Sequence, residues 1–285
     1  MVLDLIKAAI LGTVQGITEF LPVSSTGHLI LVEDLLNVDQ DRYGLPFDAA
    51  LHLGTLVSVL CFFGMRWVRL AQGGLRVLRD RSLADDEGRL AWLLVIGTIP
   101  AAVIGLALED LAEDAFRSTV LVASMLIAFS AVFILAEAFG RRQRAMTDMS
   151  WKDAVIVGFA QALALVPGVS RSGATISAGL FRDVERREAA SFAFLLSAPI
   201  IAGAGLKQSA GVVRDFADGR LGGEDAAFFA VGFAVAAVVG YASMKFLLHF
   251  LSSHRLNAFA AYRVGLGLLV FAMLGWNLIA MTRLF

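Results

Sequence analysis

The chain predicts an all-α integral membrane fold of six full transmembrane helices plus two re-entrant helical hairpins, arranged as an inverted-topology repeat. Three observations carry this. Of the 285 residues, 58% are hydrophobic and 17% charged, with a mean hydropathy of +0.74, against roughly 45–50% apolar and about 25% charged in soluble domains. Six apolar stretches approach or reach the about 20 residues that a helix needs to cross a hydrocarbon core. Finally, Gln15, Ser24, Thr26 and Gly27 recur 146 residues later as Gln161, Ser170, Ser172 and Gly173.

From the N-terminus, an apolar run over 5–21 breaks at Pro22 and resumes over 27–36. Ten helical residues cover about 15 Å, half of a roughly 30 Å core, so this second arm turns back rather than crossing. Broken backbone at that depth needs protein or a water-filled cavity to satisfy its polar groups. Pro22 ends the first arm, and Gly27 is expected to supply turn geometry before the second. Spans at 49–65, 90–108 and 118–136 follow, with His52 the one ionisable side chain among them. A second interrupted pair, 152–166 and 173–181, has Pro167 and Gly173 in the roles of Pro22 and Gly27. Spans at 189–206, 226–244 and 264–282 complete the series. Gly97, Gly105, Ala204, Gly232, Gly240, Gly265 and Gly267 read as small residues for close helix packing in lipid.

A hairpin begins and ends on one face, and three spans carry the chain to the other, so the second half enters from the opposite side. The expectation is one membrane domain, 1–285, with repeat halves of about 1–140 and 150–285. In such repeats, sites lie near the midplane where broken helices meet. Fourteen Lys and Arg side chains, from Arg66 to Arg89, Arg141 to Lys152, Arg182 to Arg187 and at Arg255, fall on one side, against seven on the other. The positive-inside rule puts the fourteen in the cytoplasm, leaving both termini and the acidic 109–114 loop outside. The basic run from Arg66 to Arg89 reads first as a topology signal and second as a headgroup site. The lone Cys61 excludes an internal disulfide, and a net charge of −1 argues against a nucleic-acid partner. No cleavable signal is expected, because the first apolar run leads into a polar motif rather than a small-residue cleavage site.

An ionisable residue inside membrane sequence is expensive and marks a functional site by default. Here the two tips pool Gln15, Glu19, Ser24, Ser25, Thr26 and His28 with Gln161, Ser170, Arg171, Ser172 and Thr175. The set suits a phosphate. Arg171 offers a planar fork matched to phosphate oxygens, and backbone N–H groups near Gly27 and Gly173 open the short arms, where helix N-termini favour anions. Gln15 and Glu19 share a helical face. A carboxylate beside a diphosphate is repulsive unless a divalent cation, Mg²⁺ or Ca²⁺, bridges them, which makes Glu19 the metal-ligand candidate. His28 suits proton transfer near neutral pH, and Ser25 suits attack on phosphorus if a base activates it, with a metal-activated water as the other attacking group. Ser24 and Thr26 also read as helix caps, His28 as a structural hydrogen-bonder, and Glu19 with Arg171 as an ion pair joining the hairpins.

The stretches Gln15-Gly-Ile-Thr-Glu19-Phe-Leu-Pro-Val-Ser-Ser-Thr-Gly-His28 and Pro167-Gly-Val-Ser-Arg171-Ser-Gly-Ala-Thr strongly resemble those of the undecaprenyl-pyrophosphate phosphatases of the bacitracin-resistance family. The likeness extends over the whole chain. It matches the family's (E/Q)-x-x-x-E element to Gln15 and Glu19, its Pro-x-Ser-Ser-Thr-Gly-His element to Pro22 through His28, and its Pro-Gly-x-Ser-Arg-Ser-Gly element to Pro167 through Gly173. It implies an inner-membrane enzyme that hydrolyses a C55 isoprenyl diphosphate to the monophosphate carrier of cell-wall synthesis with a divalent cation; the positive-inside orientation adds the expectation that its site opens to the outer face. Ser25, Glu19, His28 and Arg171 then take the catalytic roles, and Gln15, Ser24, Thr26, Gly27, Gln161, Ser170, Ser172 and Gly173 bind substrate. Position 15 is an amide here, so Glu19 acts as the sole carboxylate. The expected partners are a polyisoprenyl diphosphate and membrane lipid, with a homodimer compatible with the sequence. The rival reading, drawn from the repeat architecture alone, is a transporter or flippase of the lipid monophosphate.

Overall fold

A computed structural model describes residues 2–40, 43–108 and 118–282, with side chains through residue 275. Eleven α-helices and no strands occur among the described residues. They are α1 (Val2–Thr18), α2 (Ser25–Leu36), α3 (Gly44–Phe63), α4 (Met65–Asp80), α5 (Asp86–Ala107), α6 (Thr119–Phe139), α7 (Trp151–Leu163), α8 (Arg171–Phe181), α9 (Arg186–Ala217), α10 (Gly223–Phe250) and α11 (Asn257–Thr282). The six long, apolar ones (α3, α5, α6, α9, α10 and α11) are of a length and composition to cross a membrane, and each covers one expected span. By contrast α2 and α8 have 12 and 11 residues, about 18 and 17 Å of helix. The acidic 109–114 loop, Arg42, Arg117 and Arg283 lie outside the described residues.

Local chemistry sets the boundaries. Asn37 at φ 48° closes α2 in the left-handed conformation. Gly64, at φ 42°, separates α3 from α4. Asp85 caps α5 by accepting from the Gly88 N–H, and Ser150 caps α7 by accepting from Asp153 N–H, while Asp153 reaches back in a capping box. Most of the basic run, Arg66 to Arg79, lies on one helix: α4 is amphipathic, burying Leu70 and setting Gly73 against Gly88, where a Cβ would come within 2.6 Å of the Gly88 backbone nitrogen.

The helices pack through small residues. A Cβ on Gly12 of α1 would sit 2.6 Å from Gly232 O on α10, and one on Gly16 would sit 2.8 Å from Gly240 N. One on Gly158 of α7 would sit 2.3 Å from Gly97 O on α5. Gly97, Gly232, Gly240 and Gly267 are therefore close-contact residues as expected. Gly265 faces open space, Gly105 makes only ordinary contact, and Ala204 lines a cavity. Two apolar clusters result, one around Phe133, Phe192, Phe194 and Leu196, the other around Leu11, Phe47, Leu51 and Phe228.

Each short helix returns to the end where its partner began. Lys7 Nζ of α1 donates to Asn37 O after α2 at 3.2 Å. At the other end, Asp153 of α7 accepts from Arg182, just past α8, at 2.6 Å and from Arg144 at 2.9 Å. Burial pushes the Asp153 carboxyl up, but the bonds from Arg144, Ser150 and Arg182 outweigh it and hold the carboxyl below its ordinary range. Nearby, Arg186 forks onto Glu137, which also accepts from Leu256 N–H.

Candidate active site

The two tips, where α1 gives way to α2 and α7 to α8, meet inside the helix assembly. Both pivot on a serine in the left-handed region, Ser24 at φ 76° and Ser170 at φ 75°, with Gly168 at φ 93°. The turn geometry thus comes from the serines and not from Gly27 and Gly173, which lie inside α2 and α8. Those glycines serve close approach instead: a Cβ would come within 2.9 Å of Val122 Cγ1 at Gly27 and within 2.2 Å of the Phe133 ring at Gly173. A non-glycine residue with this backbone costs of order 1–3 kcal/mol and persists only where its surroundings hold it.

Here the surroundings are the opposite tip. Ser24 makes no cap bond; its hydroxyl accepts from the Gly168 N–H at 3.2 Å, which corrects the reading of Ser24 as a cap. Ser172 Oγ donates to Leu21 O at 3.3 Å. Ser170 does cap its own helix, through Gly173 N–H at 3.2 Å. Thr26 is exposed, and Thr175 bonds back to Arg171 O and Ser172 O within α8.

Glu19, 6% exposed, is the focus. Its Oε2 accepts from Ser25 Oγ at 2.8 Å and from Gln15 Nε2 at 3.1 Å, and the Arg171 guanidinium pairs with Oε1. His52 Nε2 lies 3.5 Å from Oε2. Glu19, Ser25, His52, Gln161, Ser170 and Arg171 line a cavity of about 150 Å³. The Gln161 amide is buried with no hydrogen-bond partner at either atom, so a polar ligand has an unused donor and acceptor waiting. Through Thr26, Ala101, Leu165, Pro167 and Ile200 this cavity adjoins a larger one of about 690 Å³, whose walls include Ile30, Leu45, Ala102, Leu106, Pro199 and Ala204.

Of the expected residues, Glu19, Ser24, Ser25, Thr26, Gln161, Ser170 and Arg171 reach the small cavity, while Gln15 stands fully buried behind Glu19. His28 does not line it. Sequence reasoning passed over Arg263, 0% exposed, which bonds to both tips; its signal was a single arginine inside the apolar run of α11. For a divalent cation, the one carboxylate at the small cavity is Glu19, with the unpartnered amide oxygen of Gln15 buried behind it. No group of three His, Cys, Asp or Glu able to hold a metal occurs among the described residues. Such a set does not cage an ion alone. It fits a cation such as Mg²⁺, which keeps waters and is completed by substrate phosphates.

The model of the bacitracin resistance protein BacA family matches residues 8–269. The chain is 51% identical over 273 residues to the undecaprenyl-diphosphatase of Rubrobacter xylanophilus, covering 95% of this chain and 99% of that relative. It is 44% identical to the undecaprenyl-diphosphatase of Desulforudis audaxviator, covering 93% and 95%, and 42% identical to that of Corynebacterium diphtheriae, covering 96% and 95%.

Proposed function

Since the chain belongs to the BacA bacitracin resistance family, we propose that it hydrolyses undecaprenyl diphosphate to undecaprenyl phosphate and inorganic phosphate, recycling the lipid carrier of cell-wall synthesis. The observation that carries this reading is the Ser25 hydroxyl donating to Glu19 beside Arg171, at the head of a largely apolar cavity. A hydroxyl, a base and an anion fork are the parts of phosphoryl transfer to a side chain.

Ser25 Oγ attacks the terminal phosphorus while its proton passes to Glu19 Oε2. The bond from that phosphorus to the bridging oxygen breaks, and undecaprenyl phosphate leaves. Water then attacks the phosphoserine, the Ser25 Oγ–phosphorus bond breaks as Glu19 returns its proton to Ser25 Oγ, and inorganic phosphate leaves carrying the water's two hydrogens. Arg171 exchanges its pairing with Glu19 for the phosphoryl oxygens as charge builds there, the largest electrostatic contribution. Gln161 and the N–H groups opening α8 orient the diphosphate. A divalent cation would be held by Glu19 together with the substrate's phosphates, and would supply further neutralisation of charge. The isoprenyl tail occupies the larger cavity and the lipid beyond it.

The topology proposed is one membrane domain with halves of about 1–140 and 150–285, in which α1–α2 and α7–α8 are re-entrant hairpins and the halves are inverted. Supporting it, α1 packs through Gly12 on α10 of the other half, and α7 packs through Gly158, 146 residues on, against α5 of the first. The Arg144 end faces the cytoplasm of the bacterial inner membrane, so the site opens outward.

Phosphate release by the purified chain from undecaprenyl diphosphate tests the reaction; lipid movement between leaflets without phosphate release would make it a transporter. For orientation, single cysteines at Gly219 and Ala145 in a Cys61→Ser background are exposed to a membrane-impermeant thiol reagent in intact cells. Labelling of the first alone is expected, and labelling of the second alone reverses the topology.

A further inference from the structure

Tyr262 and Arg263, adjacent on α11, reach the two tips by separate routes. Tyr262 Oη lies 2.7 Å from His28 Nε2, and the rings stack with centroids 5.7 Å apart at 10°. His28 Nδ1 lies 2.7 Å from Ser24 O. A carbonyl only accepts, so Nδ1 carries the proton, and Nε2 accepts the Tyr262 hydroxyl. Both ring nitrogens of His28 are thereby used. Arg263 donates to Gly168 O at 2.7 Å in the second tip and to Pro22 O at 3.5 Å in the first, with Met125 O and Ser130 Oγ each at 3.3 Å. Its guanidinium lies 4.8 Å from the centre of the Phe133 ring, the ring that leaves no room for a Cβ at Gly173.

We infer that Tyr262 and Arg263 form the positioning element for the reaction. Arg263 sets the spacing of the two tips, and Tyr262, through His28, fixes the Ser24 peptide that precedes the attacking Ser25. His28 is then a positioning residue and does not carry the transferred proton, which already has an acceptor in Glu19 Oε2 at 2.8 Å from Ser25 Oγ. This rests on the diphosphatase reading.

The test uses the full chain in detergent. His28→Asn keeps an N–H where Nδ1 donates but has no ionisable ring, His28→Ala keeps neither, and Tyr262→Phe keeps the stacking and loses only the hydroxyl. Two readouts are taken: phosphate release across pH, and amide hydrogen exchange of residues 23–28. The expectation is that His28→Asn retains about a tenth or more of wild-type kcat with an unchanged pH profile, and His28→Ala falls at least about tenfold further. Tyr262→Phe should lower kcat about threefold to tenfold at every pH with KM unchanged, and should add little on top of His28→Asn, since the two act in one chain of bonds. Exchange at the tip should rise most in His28→Ala, and by similar, smaller amounts in Tyr262→Phe and His28→Asn, both of which break the bond between residues 28 and 262. His28→Asn as inactive as His28→Ala, or Tyr262→Phe matching wild type in both readouts, overturns the inference. Because exchange needs no turnover, a wild-type chain that releases no phosphate sinks the diphosphatase reading while the exchange pattern still decides this one.

Discussion

Replacing Ser25 with alanine separates an attacking hydroxyl from a binding one, because the structure sets a ceiling on what binding is worth. Ser25 Oγ donates to the buried carboxylate of Glu19 at 2.8 Å. A hydrogen bond to a charged group contributes about 1.5–3 kcal/mol, so loss of that contact alone slows the enzyme by no more than about 150-fold. Removing a nucleophile takes the covalent route with it, and a loss on the order of 10⁴-fold or more is expected. The assay is steady-state phosphate release, paired with rapid quenching of substrate labelled in its terminal phosphate, which should trap phosphoserine at Ser25. Ser24→Ala is the control. It leaves the buried Gly168 N–H without its acceptor, costing about 1–3 kcal/mol of tip stability, and its rate should stay above the ceiling set for binding. A Ser25→Ala protein that keeps more than about 1/150 of the rate, with no label on the wild-type protein, means that water attacks and Ser25 only binds.

Arg171→Lys keeps the charge and loses the fork; activity should fall by about 2–4 kcal/mol of barrier, and a lysine enzyme as fast as wild type removes the fork from the mechanism. Chelation should abolish phosphate release and Mg²⁺ or Ca²⁺ restore it, while Glu19→Gln, folded by its elution profile, should stay inactive with metal present; full activity after chelation removes the cation from the mechanism, and full activity in Glu19→Gln removes Glu19 from both of its roles. Asp153 supplies a pH test of stability. Its folded pKa is depressed below the ordinary 3.8, so its contribution is fully present above that value and is lost as pH falls below it. The thermal midpoint should drop as the pH falls below about 4, and Asp153→Asn should start lower and show less of that drop. Equal acid sensitivity in the two proteins assigns it to other carboxylates.

Span positions and the convergence of the two tips were legible because both are written locally, as long apolar runs and as proline breaks beside Glu19 and Arg171. Three features were not, each for a physical reason. Gly27 and Gly173 read as turn residues, yet their contacts are with Val122 and Phe133, and local sequence does not distinguish a glycine needed for its φ from one needed for its missing Cβ. Ser24 reads as a cap, but its partner lies 144 residues away. Arg263 sits seven residues into α11, where an arginine resembles any flanking topology signal until Pro22 and Gly168 are seen to converge on it.

The bonds that hold the two left-handed serines impose an order on biogenesis. Ser24 depends on Gly168, Leu21 receives Ser172, and both tips depend on Arg263, which reaches the membrane only with the last helix. A chain still on the ribosome, with ten helices made, holds Glu19 and Ser25 but not the frame that seats them. If Arg263 positions the tips as inferred, the site of such an intermediate stays unframed until α11 closes.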